Sequence, residues 1–482
     1  MRPDWLQTRL RPALATLLAI FLVSVTAGSS HFLVAAARAD DGSDKGESGG
    51  HSGTTAGGGE DGGAGSAGGG GGSEDAGQSA GDGEGENNGG VRGGTANGSG
   101  SPGGGLQAGA GGNYSDRAES GEVVVLADRP DILIKARRMG FSLIDERRFA
   151  SLDLSMLRLK TPAHVDGELG LAMLREAFPH LTADLNSLYA PYSEQSDQVV
   201  SLPEPDYARR MIGWSGGEGC GAGFRIGMID TAPGPSPALS GQKMHVQSFL
   251  DSDAPPADSG HGTAIASLLV GHGVAGRATA AGLLPAADLY AAGVFERDGT
   301  RSEASAFAIA GALDWMVANH VSVVNISLSG EANSLLAIAA ERATARGSVL
   351  IAAAGNGGPG GKPAYPAALP DAIAVTAVDQ DGHVYAKANE GDYIAFAAPG
   401  VRIWVPEPDA LGEYLTGTSL AAPFVAGAAA LELIAGGPPS AELVRKQLAT
   451  RAIHLGQPGK NPVYGYGLVQ AAHGCGMPVS GQ

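Results

Sequence analysis

The chain has 482 residues, 77 of them glycine, with a formal net charge of −18 and two cysteines. That acidity excludes a polybasic face for nucleic acid or anionic lipid, and two cysteines exclude a zinc ribbon or a disulfide-dense scaffold. The length leaves room for two or three domains, and the glycine lacks the three-residue period of collagen.

Arg2, Arg9 and Arg11 precede an apolar run over 13–27 and the triplet Ala37-Arg38-Ala39. A basic start, a short apolar middle and a small-x-small end read as a secretory signal peptide over 1–39, so the expected location is exported, periplasmic or extracellular. No later stretch reaches the roughly 20 apolar residues of a membrane span. Residues 40–120 are largely Gly, Ser, Asp, Glu and Asn, and the eleven acids and two bases of 40–113 hold half of the net charge. Such a segment buries too little apolar surface to offset the entropy of ordering, and disorder is expected.

Order is expected over 121–192. The pattern predicts a strand at 122–127 (EVVVLA), a helix at 131–139 and two short strands within 141–159, around Asp145 and Glu146. Leu169, Leu171, Met173, Leu174 and Phe178 give 168–178 helical spacing, and 184–192 supplies a last strand. The order βαββαβ describes a small α+β ferredoxin-like domain. A polar, proline-containing linker or processing region follows over 193–219.

From 220 to 476 short apolar runs alternate with alanine-rich amphipathic segments. Strands are predicted at 224–229, 245–250, 288–294, 321–327, 349–354 and 373–378, and helices at 263–270, 303–319 and 334–346. A further buried helix is predicted over 420–434, with 477–482 left as a tail. Continuous Val, Ile, Leu and Ala in the strands imply an α/β unit, a parallel sheet covered by helices on both faces. In such sheets, sites gather beyond the carboxyl ends of the strands.

Four residues fall at those ends. Asp230 closes FRIGMID; His261 opens an apolar helix in SGHGTAIASLLVG; Asn356 follows VLIAAA in AAAGNGG; Ser419 sits where the loop of GTSLAAPFVAG becomes a helix. Singly, each has a simpler reading as a turn, cap or helix-start residue. At the start of its helix Ser419 meets unpaired N–H groups and the positive end of the dipole, which favour developing negative charge. Pro423 falls early enough for the opening turns to tolerate it.

Together, in the chain order Asp, His, Ser, the motifs resemble those of the subtilisin-like serine proteases, the subtilases. Asp230-Thr231-Ala232-Pro233 stands where that family has Asp-Ser/Thr-Gly. His261-Gly262-Thr263-Ala264-Ile265-Ala266-Ser267 matches its histidine motif, and 417–427 its serine motif with Leu420 and Phe424 as substitutions. Ala232 in place of glycine restricts the backbone of the turn after Asp230.

The resemblance implies a serine endopeptidase acting on proteins or peptides through an acyl-enzyme. Ser419 would be the nucleophile, His261 the general base and acid, Asp230 the group orienting the imidazole, and Asn356 an oxyanion donor. It implies a substrate-binding wall at Ser327, Leu328, Ser329 and Gly330, and a primary pocket completed by Ala353, Ala354 and Gly355, uncharged and so suited to apolar side chains. It also implies that 121–192 is a pro-domain that inhibits the same chain and is cut off near 193–201 in a monomeric enzyme. No cofactor is implied; calcium is used by many subtilases, but the short carboxylate-free stretch 271–281 lacks the usual loop site, and His272 reads as a loop residue. In an exported chain Cys220 and Cys475 are available to pair, which sequence leaves open. The alternative is a catalytically silent protein of this fold that binds peptides without cutting them.

Overall fold

Three consecutive valines, Val123, Val124 and Val125, are all buried, although a strand turns successive side chains to opposite faces. The computed structural model, which describes residues 117–191, 194–195, 203–273, 281–406, 412–471 and 475, gives the reason. Val123 and Val125 face a small core under two helices, while Val124 joins a second core shared with the α/β unit. The predicted signal peptide, most of the acidic segment and the tail after 476 lie outside the described residues.

The first module runs β1 (Ala118–Leu126), α1 (Asp131–Arg138), β2 (Ser142–Phe149), β3 (Leu154–Lys160), α2 (Gly167–Ala177) and β4 (Ala183–Pro191). Its strands lie in the order β2-β3-β1-β4, each pair antiparallel, the ferredoxin-like arrangement. One expectation is corrected. Asp145 and Glu146 do not flank a break but lie inside β2, next to an irregularity in register; the turn comes at 150–153, where Asp153 has φ 53°. The charges mark an edge strand, which tolerates them because one face meets water.

A two-residue strand β5 (Glu194–Gln195) and a short helix α3 (Tyr207–Met211) lead into the α/β unit. Its elements are β6 (Arg225–Asp230), β7 (Met244–Ser248), α4 (Gly260–Val270), β8 (Asp288–Gly293), β9 (Glu296–Asp298), β10 (Arg301–Ser305), α5 (Ala306–Ala318), β11 (Val323–Ile326) and β12 (Leu328–Ser329). They continue with α6 (Ser334–Ala345), β13 (Val349–Ala353), β14 (Ala372–Val378), β15 (Ile394–Pro399), β16 (Ile403–Val405), β17 (Glu413–Thr416), α7 (Thr418–Ile434) and α8 (Ala441–Ala449). Seven strands form one wholly parallel sheet, β15-β14-β13-β11-β6-β8-β7. Residues of α4, α7 and α8 fill the core on one face and those of α5 and α6 the core on the other.

The helix expected from 303 starts three residues later. Ser305 caps α5 by accepting from Ala308 N, and the residues before it pair instead with β9 and the end of β4. Cys220 and Cys475 form a disulfide with Cα atoms 4.8 Å apart. Among the described residues no helix is long and apolar enough to cross a membrane.

Candidate active site

Three neighbouring strands, β13, β11 and β6, end side by side, and the candidate residues stand just past them. Asp230 is the last residue of β6 and is fully buried. Its Oδ1 accepts from the Thr231 backbone N–H at 2.7 Å and meets His261 Nδ1 at 2.7 Å. A buried carboxylate requires such partners to offset its lost hydration. His261, also buried, is the second residue of α4, which begins three residues earlier than the apolar pattern suggests.

Gly262 allows this approach. A Cβ there would lie 2.0 Å from the Thr231 carbonyl oxygen, and its N–H donates to Thr231 Oγ1 at 2.8 Å. The non-glycine residues with positive φ among the described residues are Asp153, His164, His320 and Arg402. Ala232 therefore takes an ordinary conformation, and the turn after Asp230 does not need glycine at that position.

Ser419 is the second residue of α7; in this first turn the N–H groups of Gly417, Thr418 and Leu420 donate to Gly400 O, Asn356 Oδ1 and Gly417 O. Pro423 lies in the second turn and has no N–H to give to the carbonyl four residues earlier, which is that of Ser419. Ser327 supplies the missing donor: its Oγ donates to Ser419 O at 3.0 Å and accepts from Asn325 Nδ2 at 2.8 Å. Ser327, expected in the substrate wall, thus turns its side chain to the backbone of Ser419. Ser419 Oγ points to Ser327 O at 3.4 Å, and His261 Nε2 has no hydrogen-bond partner among the described residues. Asp230 and His261 are joined; serine and imidazole are near the same strand ends but not hydrogen-bonded.

Asn356 lies three residues beyond β13. Its Oδ1 accepts from Thr418 N at 3.1 Å and from Thr418 Oγ1 at 2.9 Å, and that hydroxyl accepts from Gly355 N at 3.2 Å. The bonds fix which end of the amide is the oxygen. Thr418 was in the recognised motif, but nothing in the sequence marked it as the clamp on Asn356. Asn389 was missed altogether; its Oδ1 accepts from Gly357 N at 2.6 Å and its Nδ2 donates to Lys362 O at 2.9 Å, bracing the same loop.

The predicted wall carries a strand. Leu328 and Ser329 pair antiparallel with Pro191 and Ala190 of β4, and Gly330 exchanges backbone hydrogen bonds of 3.0 and 2.9 Å with Tyr365. The buried Tyr189 ring lies so close to Gly330 that a Cβ there would be 2.4 Å away, and its hydroxyl donates to Glu331 O at 3.0 Å. A cavity of about 220 Å³ beside it is lined by Gly330, Glu331, Lys362, Ala364 and Tyr365 among others. Ala353, Ala354 and Gly355 do not line that cavity. Gly355 has φ 98° and backs onto Ala364 and Asn389, while Ala354 O accepts from Tyr393 Oη at 2.8 Å.

One group of metal-type donors was not foreseen. Ligand atoms of Asp379, Asp381 and His383 lie within 4.8 Å of one another, but Asp379 Oδ1 already accepts from the N–H groups of Asp381 and His383, so a tight turn accounts for the cluster. Residues 274–280 of the expected short loop lie outside the described residues; His272 Nδ1 faces Gln242 Nε2 at 3.2 Å.

The model of the Subtilase family matches residues 221–467. The thermostable alkaline protease of Halalkalibacterium halodurans is 35% identical over 253 residues, covering 52% of this chain and 67% of that protein. Subtilisin DY of Bacillus licheniformis is 34% identical over 257 residues, covering 52% of this chain and 89% of its own. In fold, the chain resembles fervidolysin from Fervidobacterium pennivorans, a keratinolytic enzyme related to subtilisin, with a TM-score of 0.61 at 21% identity. That similarity spans 73% of this chain and 60% of fervidolysin.

Proposed function

The chain belongs to the subtilase family and is a subtilisin-like serine-type endopeptidase, and from that premise we propose that Asp230, His261 and Ser419 are its catalytic triad. The observation that carries the assignment is the buried 2.7 Å contact between His261 Nδ1 and Asp230 Oδ1, with Ser419 at the start of α7. Asp230 holds the proton on Nδ1, which leaves Nε2 as the basic nitrogen. For the reaction, the Ser419 side chain has to turn away from Ser327 O so that its hydroxyl reaches Nε2. The imidazole then takes the hydroxyl proton as Oγ attacks the peptide carbonyl, and returns it to the leaving amine. Water repeats the sequence on the acyl-enzyme. Asn356, held by Thr418, and the Ser419 N–H donate to the oxyanion.

The substrate chain is proposed to lie along Leu328 to Gly330, as an added antiparallel strand. Support comes from β4, whose residues 189–191 run there now. On this reading the N-terminal module is an inhibitor of its own protease, covering the peptide groove, and self-processing cuts the chain beyond Pro191, near 193–201. The leader over 1–39 and the disulfide support an exported, oxidising destination. We propose a monomeric enzyme that needs no cofactor.

Intact mass and N-terminal sequencing of wild type and Ser419→Ala test this. The expected result is a cut between 192 and 216 in wild type alone, with hydrolysis of an unstructured protein substrate by the processed form. If both chains stay whole and neither hydrolyses the substrate, the silent peptide-binding reading takes its place.

A further inference from the structure

Residues 323 and 325 of β11 turn to the same face of the sheet, because side chains alternate along a strand. Val323 joins the core filled by α4, α7 and α8. Asn325 comes next on that face and is fully buried, with Met228 and Ile351 of the same core as its partners in register. Its Nδ2 donates to the Oγ of Ser327, also fully buried, at 2.8 Å, which carries the polar line past the end of the strand. Polar groups in an apolar core are costly unless hydrogen bonds replace the lost water. Here the replacement is incomplete, since Asn325 Oδ1 has no partner among the described residues. A pair of apolar side chains would fill the space without that penalty, so packing alone does not account for Asn325 and Ser327.

Their outlet is the candidate active site. Ser327 Oγ donates to Ser419 O at 3.0 Å. A hydroxyl carries one proton and rotates to suit its partners. By donating to Oγ, Asn325 leaves that proton to point at Ser419 O, the carbonyl that Pro423 cannot serve. β11 is also the middle strand of the three whose ends carry the site, between β6, which ends at Asp230, and β13, which precedes Asn356.

We propose that Asn325 and Ser327 are positioning residues for Ser419, a two-step relay that ties the first turn of α7 to the end of β11 and so sets where the nucleophile stands between Asp230 and Asn356. Both act through the Ser419 backbone. The proposal rests on reading Ser419 as the nucleophile. Without the tether the Ser419 carbonyl lacks a donor and the turn that carries Oγ is free to shift, a misplacement to which reaction rates are sensitive.

The test is steady-state kinetics of the processed enzyme on one peptide, with labelling of Ser419 by phenylmethylsulfonyl fluoride, located by mass spectrometry, as a readout that needs no peptide. Ser327→Ala should lower kcat and the labelling rate about tenfold each and leave KM within about twofold, because the backbone proposed to line the substrate is kept. Asn325→Leu keeps the branched shape without the amide and should lower both rates about threefold; it carries the test if Ser327→Ala yields no folded chain. In a Pro423→Ala background, where an N–H of α7 can reach Ser419 O, the effect of Ser327→Ala should shrink to about twofold. A merely structural pair would lower the denaturant midpoint and leave kcat and labelling at the parent level. That result, or a fall in rate that Pro423→Ala does not lessen, overturns the relay alone. A parent enzyme that is not labelled at Ser419 and hydrolyses no peptide overturns the reading of the nucleophile, and the relay with it.

Discussion

Asn356 donates to an oxyanion only if its amide is held the right way round, and Thr418 holds it with two hydrogen bonds on Oδ1. Replacing Asn356 by Leu removes the donor but not the triad. The expected loss is about 10² to 10³ in kcat, roughly 3 to 4 kcal/mol, with KM nearly unchanged; the figure itself comes from a subtilisin. Thr418→Val keeps the shape and the backbone bond but removes the hydroxyl that bridges Gly355 and Asn356. About a tenfold fall in kcat is expected, since the amide stays in place but is less well aimed. Steady-state kinetics of both variants on one peptide check this; a Thr418→Val enzyme as impaired as Asn356→Leu would mean the hydroxyl does more than orient. The residues proposed to react could be picked out because each sits inside a motif. Their supports, Thr418, Thr231 and Asn389, were not, because a small polar residue in a turn looks the same in sequence whether it braces a site or only faces water.

At the scale of one element, α7 carries a defect and its repair. Pro423 withholds the hydrogen bond that Ser419 O would accept, and Ser327 Oγ makes it from the neighbouring strand end. In a Ser419→Ala background, chosen so that the proposed self-cleavage does not interfere, Ser327→Ala should cost about 1 to 3 kcal/mol, the penalty for a buried carbonyl left without a donor. Pro423→Ala restores an N–H within the helix, so Ser327→Ala should cost less in its presence. Denaturant midpoints of the four chains form a double-mutant cycle, with a coupling of about 1 kcal/mol expected. Strict additivity would mean the proline and the serine are unrelated. Regular elements such as β6, β11, β13 and α7 were legible from continuous apolar runs. The start of α5 was not, because 303–305 fit a helix by composition and are drawn into β10 by partners far away in the chain, β4 and β9.

For the whole molecule, the hidden quantity was how its parts meet. Val124, Met156 and Tyr189 read as ordinary strand residues of one small module, yet they are buried in the core it shares with α5 and α6. The same holds at the other end of the α/β unit. Ala471 N donates to Ile212 O at 2.8 Å and Gln470 Nε2 to Met211 O at 3.1 Å, so residues 470–471 are already tied to the end of α3. The Cys220–Cys475 bond closes a separation of 255 residues over this seam. Because hydrogen bonds already tie this seam, the bond's contribution is expected mainly in the unfolded chain, where closing so long a loop is worth about 5 to 6 kcal/mol as an upper value. Cys475→Ser should lower the denaturant midpoint of the Ser419→Ala chain, and reductant should lower the parent to the same level while leaving the variant unmoved. If reductant shifts both chains equally, the loss comes from something other than this bond. If it shifts neither, the seam alone sets the stability, and an oxidising destination adds nothing to the fold.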